Sequence, residues 1–261
     1  MPGEAIVEMH DVTVTVGRTA LLRNVDLRIG QGERVVILGP NGSGKSTLIK
    51  TMTGDLRHDT SVPGSYVRIR GEELWDLFEV RRAFGIVSGE LQVDLRRDME
   101  AAEAVLSGFF GSIGTNRSQK MSGEMERKAL DALALVGSEH LARRKVNTLS
   151  MGEGRRVLMA RALVSDPEAL ILDEPMNSLD LTGKHLVRQA MSSLARSDRT
   201  VVMVTHDPSD IVPEMERVVM LKNGRIFRDG GMDVLNEANL SELFEVPVRL
   251  ASLDGHYFSW S

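Results

Sequence analysis

The sequence predicts an α/β fold: a mainly parallel sheet with helices on both faces, an N-terminal antiparallel β-subdomain and an inserted α-helical subdomain. Three observations predict it. Glu33-Arg34-Val35-Val36-Ile37-Leu38 is largely apolar and β-branched, as a buried parallel strand requires, and runs straight into a glycine-rich turn. Further short apolar runs, Phe84 to Val87, Ala169 to Leu172 and Thr200 to Thr205, belong to a strand–helix alternation. Between about Gln92 and Val146 the strand signal gives way to helical spacing.

Taken in order, Ala5 to Val16 and Ala20 to Ile29 read as paired strands around Gly17-Arg18-Thr19. Gly30-Gln31-Gly32 turns the chain into the 33–38 strand, and Leu48 to Met52 can carry the helix that follows. A polar turn over 59–64 leads to a short strand, Tyr66 to Arg70, ending at Gly71. In the insert, Asp98 to Leu106 opens with acidic residues that suit a helix dipole, and Gly123 to Val136 ends at Gly137, a fit helix stop. The polar residues 115–122 predict a mobile loop. Met151 to Ser165 and Leu181 to Arg196 read as helices, and Asn223-Gly224 between Val218–Leu221 and Arg225–Phe227 is a strong hairpin signal. The expected organisation is one domain: a core of 5–91 and 147–235, a helical subdomain over about 92–146, and a short C-terminal extension from 236 to 261.

Composition narrows the class. The chain has 261 residues and a net charge of −5 without a basic block, so bulk charge gives no reason to expect nucleic acid as a partner. It has no cysteine, which removes disulfides, thiolate metal sites and cysteine nucleophiles. Met1-Pro2-Gly3-Glu4 lacks the pattern of a signal peptide, and no apolar run approaches the ~20 residues of a spanning helix. The longest uncharged candidate, Ala104 to Gly114, is about half that length. Any membrane component is therefore expected on another chain. The methionines are scattered and the histidines show no metal-ligand spacing.

Gly39-Pro40-Asn41-Gly42-Ser43-Gly44-Lys45-Ser46-Thr47 fits G-x-x-x-x-G-K-[ST] in the strand–turn–helix context that a phosphate loop needs. Its backbone N–H groups can wrap a polyphosphate, with Lys45 reaching the terminal phosphates and the Ser46 hydroxyl serving Mg²⁺. Ala169-Leu170-Ile171-Leu172-Asp173-Glu174-Pro175 is an apolar strand ending in two carboxylates, where α/β folds place ligand-binding groups. Asp173 is expected to hold Mg²⁺ and Glu174 to orient and polarise the attacking water. Leu149-Ser150-Met151-Gly152-Glu153 precedes a helix, with Ser150 placed to cap it.

That last segment resembles the signature of the ABC ATPases. Ser178-Leu179-Asp180 looks like their D-loop, and Thr205-His206-Asp207 like their H-loop. Five motifs stand in family order over residues 5 to about 230, on a P-loop NTPase core. The resemblance implies hydrolysis of ATP with Mg²⁺ in a head-to-tail dimer with a second copy or a homologous ATPase subunit. Ser150, Met151, Gly152 and Glu153 would then act in trans on the nucleotide held by the partner's loop, and His206 would bond the γ-phosphate. Three departures accompany it. Val16 stands where the family places an aromatic against adenine. Gln92, three residues beyond the expected position, is the choice for contact with Mg²⁺ and water. Met151 replaces the first signature glycine.

The resemblance further implies integral-membrane permease subunits as partners and a peripheral location on the cytoplasmic face of the membrane. Phe109 or Phe110, in the insert, is expected to border the groove that receives the permease. The C-terminal tail and Val105 to Gly114 look like parts of the iron-chelate, metal and molybdate-associated importer branch. The alternative is a soluble, permease-free relative such as the iron–sulfur cluster assembly ATPase. A kinase or GTPase is disfavoured, because the guanine-reading N-K-x-D is absent.

Overall fold

The computed structural model describes residues 4–95, 97–112, 114, 121–197 and 199–261. Most of the loop expected over 115–122, and Ile113, lie outside them. In chain order the elements are β1 (Ala5–Val16), β2 (Thr19–Gly30), β3 (Arg34–Leu38), α1 (Lys45–Met52), β4 (Tyr66–Ile69), α2 (Leu77–Ala83) and β5 (Phe84–Val87). Then come α3 (Gly89–Leu95), α4 (Ala101–Leu106), α5 (Gly123–Leu135), α6 (Met151–Leu163), β6 (Ala169–Asp173) and α7 (Leu181–Ala195). The chain ends with β7 (Thr200–Thr205), β8 (Arg217–Lys222), β9 (Arg225–Gly231), α8 (Glu237–Phe244), β10 (Arg249–Leu253) and β11 (His256–Trp260). Contacts group these into two units, Met1–Val80 with Asp198–Ser261, and Arg81–Ser197. The helical insert expected over 92–146 falls within the second.

In the first unit, β1 pairs antiparallel with β2 on one side and β4 on the other. β3 lies between β7 and β8, parallel to both, and β9 closes this edge antiparallel to β8. Val35, Val36, Ile37 and Leu38 are wholly buried, which is why this strand reads as an unbroken apolar run. The β8–β9 connection is the tight turn expected, with Asn223 and Gly224 both at positive φ. The C-terminal extension is more structured than its sequence announces. α8 is capped by the Asn236 side chain, and β10 and β11 form a hairpin whose Ser259 N–H donates to Ser209 Oγ at 3.3 Å.

In the second unit, β5 and β6 run parallel. Arg161 of α6 is buried, so its charge must be met by hydrogen bonds. Nε donates to Ser107 Oγ at 3.2 Å and Nη2 to the Ser112 carbonyl at 2.8 Å, fastening the turn Ser107–Phe110. Burial pushes the Arg161 guanidinium below its ordinary pKa. The helix expected from Asp98 starts only at Ala101. The preceding residue, Glu100, is drawn into a β-bridge with Lys145, and Ala101 N–H donates to the Arg144 carbonyl. Gly137 ends the next helical stretch at φ +65°, the stop expected of it.

Gly85 marks one of the two closest-packed glycine positions described in this unit, the other being Gly108. A Cβ on Gly85 would lie 2.4 Å from the Ala162 carbonyl oxygen and 2.8 Å from Leu170 Cδ2. Gly85→Ala should therefore destabilise the protein by about 1–3 kcal/mol, the cost of overpacking a closed core. The check is the urea midpoint at constant slope; an unmoved midpoint would mean that α6 has room to recede.

Candidate functional site

The phosphate loop spans the gap between β3 and α1, and its shape depends on glycine. Gly42 and Gly44 adopt φ of +78° and +108°, in the left-handed region that side chains resist. Gly39 has no room for a side chain, since a Cβ would stand 2.4 Å from the Leu221 carbonyl oxygen. The β8–β9 turn braces the loop: Gly224 N–H donates to the Ser43 carbonyl, and Arg23 N–H to that of Gly224, both at 2.8 Å.

The N-terminus of α1 is built for an anion. Gly44 offers no side chain to cap it, and no acidic residue lies in its first turn. Its N–H groups and the positive end of the helix dipole are left for a ligand. Lys45 Nζ folds back onto the carbonyls of Gly39 and Pro40, at 2.8 and 3.1 Å, so the ammonium is held over the same loop. Ser43 Oγ is buried without a partner among the described residues, a further donor waiting for an acceptor. These features fit a polyphosphate. Asn41 and Ser46 are exposed, Pro40 and Thr47 half-buried, and Val16 is 53% exposed at the end of β1. Thr205, the last residue of β7, accepts the Gly39 N–H at 3.3 Å, which brings the residue before His206 against the loop's start. His206 is half-buried, and the turn after it is fixed by the Asp207 N–H to Thr205 Oγ1 bond at 3.0 Å.

The second unit carries the remaining motifs. Asp173 ends β6, half-buried. Behind it in α6, Arg155 is 2% exposed; burial pushes its guanidinium down and the Asp173 charge opposes that shift. Glu174 follows at φ +49°, and Ser178 at +63°. Strained non-glycine backbone of this kind costs on the order of 1–3 kcal/mol and clusters at functional sites. Asp180 caps α7 by accepting the Gly183 N–H at 2.7 Å.

Ser150 caps α6 as expected, inside a complete capping box. Its Oγ accepts the Glu153 N–H at 3.2 Å, and Glu153 Oε2 accepts the Ser150 N–H at 2.8 Å. Burial raises the Glu153 pKa, but the Ser150 bonds and the Arg144 guanidinium outweigh it and hold the carboxyl below its ordinary range. A cavity of about 620 Å³ opens beside this turn, lined by the signature residues Ser150 to Glu153, by Ser178, Leu179 and Asp180, and by His140. Gly152 is the position of close backbone approach, and what approaches it is Gly183: a Cβ on Gly152 would meet the Gly183 Cα at 3.0 Å. Gln92 is buried in α3 and donates from Nε2 to the Met151 carbonyl at 2.8 Å.

The second unit thus gathers the signature, the D-loop and Gln92, and the first gathers the phosphate loop and the turn at His206. Sequence reasoning missed Arg155, Gly154 and Gly183. A helix buried almost all round shows no amphipathic stripe, so nothing in its pattern singled out the buried arginine. The glycine inside α7 was the available signal for a close helix contact. Among the described residues no group of three or more His, Cys, Asp or Glu could hold a metal ion. A hydroxyl and a carboxylate are the donors that Mg²⁺ takes when substrate phosphates and water complete its shell, so Ser46 and Asp173 are of the right chemical kind.

Comparison with known proteins agrees with the motifs. The family described as ABC transporter matches residues 22–177. The chain is 32% identical over 251 residues to the phosphonates import ATP-binding protein PhnC of Escherichia coli K12, covering 92% of this chain and 95% of that one. It is 32% identical to the uncharacterized ABC transporter ATP-binding protein YlmA of Bacillus subtilis, covering 94% and 93%. Among solved structures, a putative metal-chelate type ABC transporter in an inward-facing conformation matches with TM-score 0.76 and 24% identity over 98% and 96% of the chains. A dimeric post-hydrolysis state of the ATP-binding cassette MJ0796 with ADP and Pi matches with TM-score 0.70 and 31% identity over 87% and 98%. A mixed α/β fold with a parallel-dominated sheet and an antiparallel N-terminal β-subdomain, carrying these motifs in this order, places the chain in the ABC transporter family as an ATP-binding subunit and an ATPase.

Proposed function

We propose that the chain hydrolyses ATP to ADP and phosphate in a head-to-tail dimer, and that this drives transport through separate permease subunits. The observation that carries the reading is the cavity beside Ser150. It is lined by the signature and the D-loop, among other residues of the second unit. A γ-phosphate bound there is one anchored on another copy's Lys45. The dimeric post-hydrolysis state of MJ0796 supports this arrangement.

In this reading each motif residue has a distinct task. Gly39, Gly42 and Gly44 shape the loop, while the N–H groups of α1 and the Lys45 ammonium neutralise the phosphates. Ser46 and Asp173 would hold Mg²⁺, and the ion would supply charge neutralisation to the bound polyphosphate. Glu174 orients the water that attacks the γ-phosphorus, and His206 donates to a γ-oxygen. The bond to the β-γ bridging oxygen breaks, ADP leaves with that electron pair, and the water's proton passes through Glu174 to the departing phosphate. Ser150 and the N-terminal turn of α6 add donors from the partner.

No helix of the described residues is long and apolar enough to cross a membrane, so membrane attachment is assigned to the permease. Phe109 and Phe110, both half-buried, border the receiving groove in this reading. The relatives, named as transporter subunits, favour this role over a permease-free assembly ATPase. The PhnC relative suggests phosphonate as cargo, where the sequence suggested a metal chelate; the chemistry at the nucleotide is the same for both. Co-purification of a membrane subunit from detergent extract supports the transport role, and co-purification with soluble scaffold proteins alone contradicts it.

Glu174→Gln should lower turnover at least about a hundredfold, the lower range for loss of general-base catalysis, while nucleotide still binds and a dimer accumulates. A monomer at saturating Mg-ATP in gel filtration counts against the sandwich. Val16→Tyr should tighten nucleotide binding by about 1 kcal/mol, the worth of an aromatic contact. Titration with a fluorescent ATP analogue measures it, and an unchanged affinity means that the base is held elsewhere.

A further inference from the structure

Two of the departures in this sequence meet a helix glycine at one point. Gln92 stands three residues beyond the expected glutamine, Met151 replaces a signature glycine, and Gly154 sits inside α6, where glycine is the poorest helix former after proline. Gln92 is 4% exposed, and its Nε2 donates to the Met151 carbonyl at 2.8 Å and lies 4.0 Å from Met151 Sδ. Because the partner is a carbonyl oxygen, only the NH₂ end of the amide can face it. A Cβ on Gly154 would lie 2.9 Å from that same nitrogen. Gly154 is thus the slot that admits the amide. The other end of the amide, Oε1, is buried without a partner among the described residues, so the hydrogen bonds this amide makes there all go to Met151 of the signature helix.

We propose that Gln92 is a positioning residue for the signature turn: its amide ties α3 to the first turn of α6 through the Met151 carbonyl, in a slot kept open by Gly154. The tie enters α6 within the capping box of Ser150 and Glu153, so a displacement of α3 acts on the residues that face the cavity. Gln92 therefore serves the nucleotide held by the other copy. This rests on the dimer reading above, and the experiment separates the two.

The variants are Gln92→Met, of similar length without a donor, and Gly154→Ala, which improves helix propensity but fills the slot. Two readouts apply to the full chain. Hydrogen exchange of the α6 first-turn amides is measured without nucleotide, and the dimer dissociation constant is measured at saturating Mg-ATP in a Glu174→Gln background. Each variant should speed exchange about tenfold and weaken the dimer about tenfold, the worth of one buried hydrogen bond. The monomer's nucleotide affinity and the Mg²⁺ concentration for half-maximal binding should not move, and the double variant should be no worse than either single one. Unchanged exchange in Gly154→Ala overturns the proposal. So does a several-fold shift in the Mg²⁺ requirement of Gln92→Met with exchange intact, which would make Gln92 a metal contact. Should the Glu174→Gln parent fail to dimerise, the dimer reading falls, and the exchange rates alone still decide the tie.

Discussion

The helix that follows β3 begins with N–H groups that nothing in the chain caps, and most of the phosphate loop's geometry can be traced to that exposed positive end. A serine or aspartate at Gly44 would satisfy those donors internally, and the loop would lose its attraction for an anion. Glycine keeps them available and permits the left-handed backbone that turns the chain around a phosphate. Such a loop needs outside support, and the β8–β9 turn provides it: Gly224 bonds to Ser43, and the Leu221 carbonyl closes against Gly39. A hairpin far along the sequence thus sets the shape of the loop near its beginning.

The start of α6 solves the opposite problem. Ser150 and Glu153 satisfy each other, so this turn holds its shape without a ligand. Gly152 brings the α7 backbone close, and Asp180 caps that second helix, so signature and D-loop form one rigid wall of the cavity. A loop that wants an anion and a preformed wall with room for one are the two halves that the proposed reciprocal site requires.

Much of this was legible in the sequence because the chemistry demands particular residues at fixed spacing. Lys45, Ser46, Asp173, Glu174 and His206 stand in an order that no packing requirement imposes. The buried strands were legible for a different reason, their continuous apolar runs. What escaped was structure set by distant partners. The bridge between Glu100 and Lys145 delays a helix that its acidic residues appeared to start at Asp98. The hairpin β10–β11 buries none of its strand residues fully, so no alternating pattern announces it. The position of Gln92 could be read, but its bond to Met151 depends on a fold contact across 59 residues of chain.

Reciprocity is the central claim, and it can be tested by asking which chain touches the far end of the nucleotide. Two full-length species of different mass, both Glu174→Gln, are mixed; one also carries Lys45→Ala and cannot anchor ATP itself. A photoreactive group on the γ-phosphate is then activated. The account predicts that label appears on the peptide containing Ser150 of the Lys45→Ala chain. Label confined to the chain with the intact lysine would contradict it.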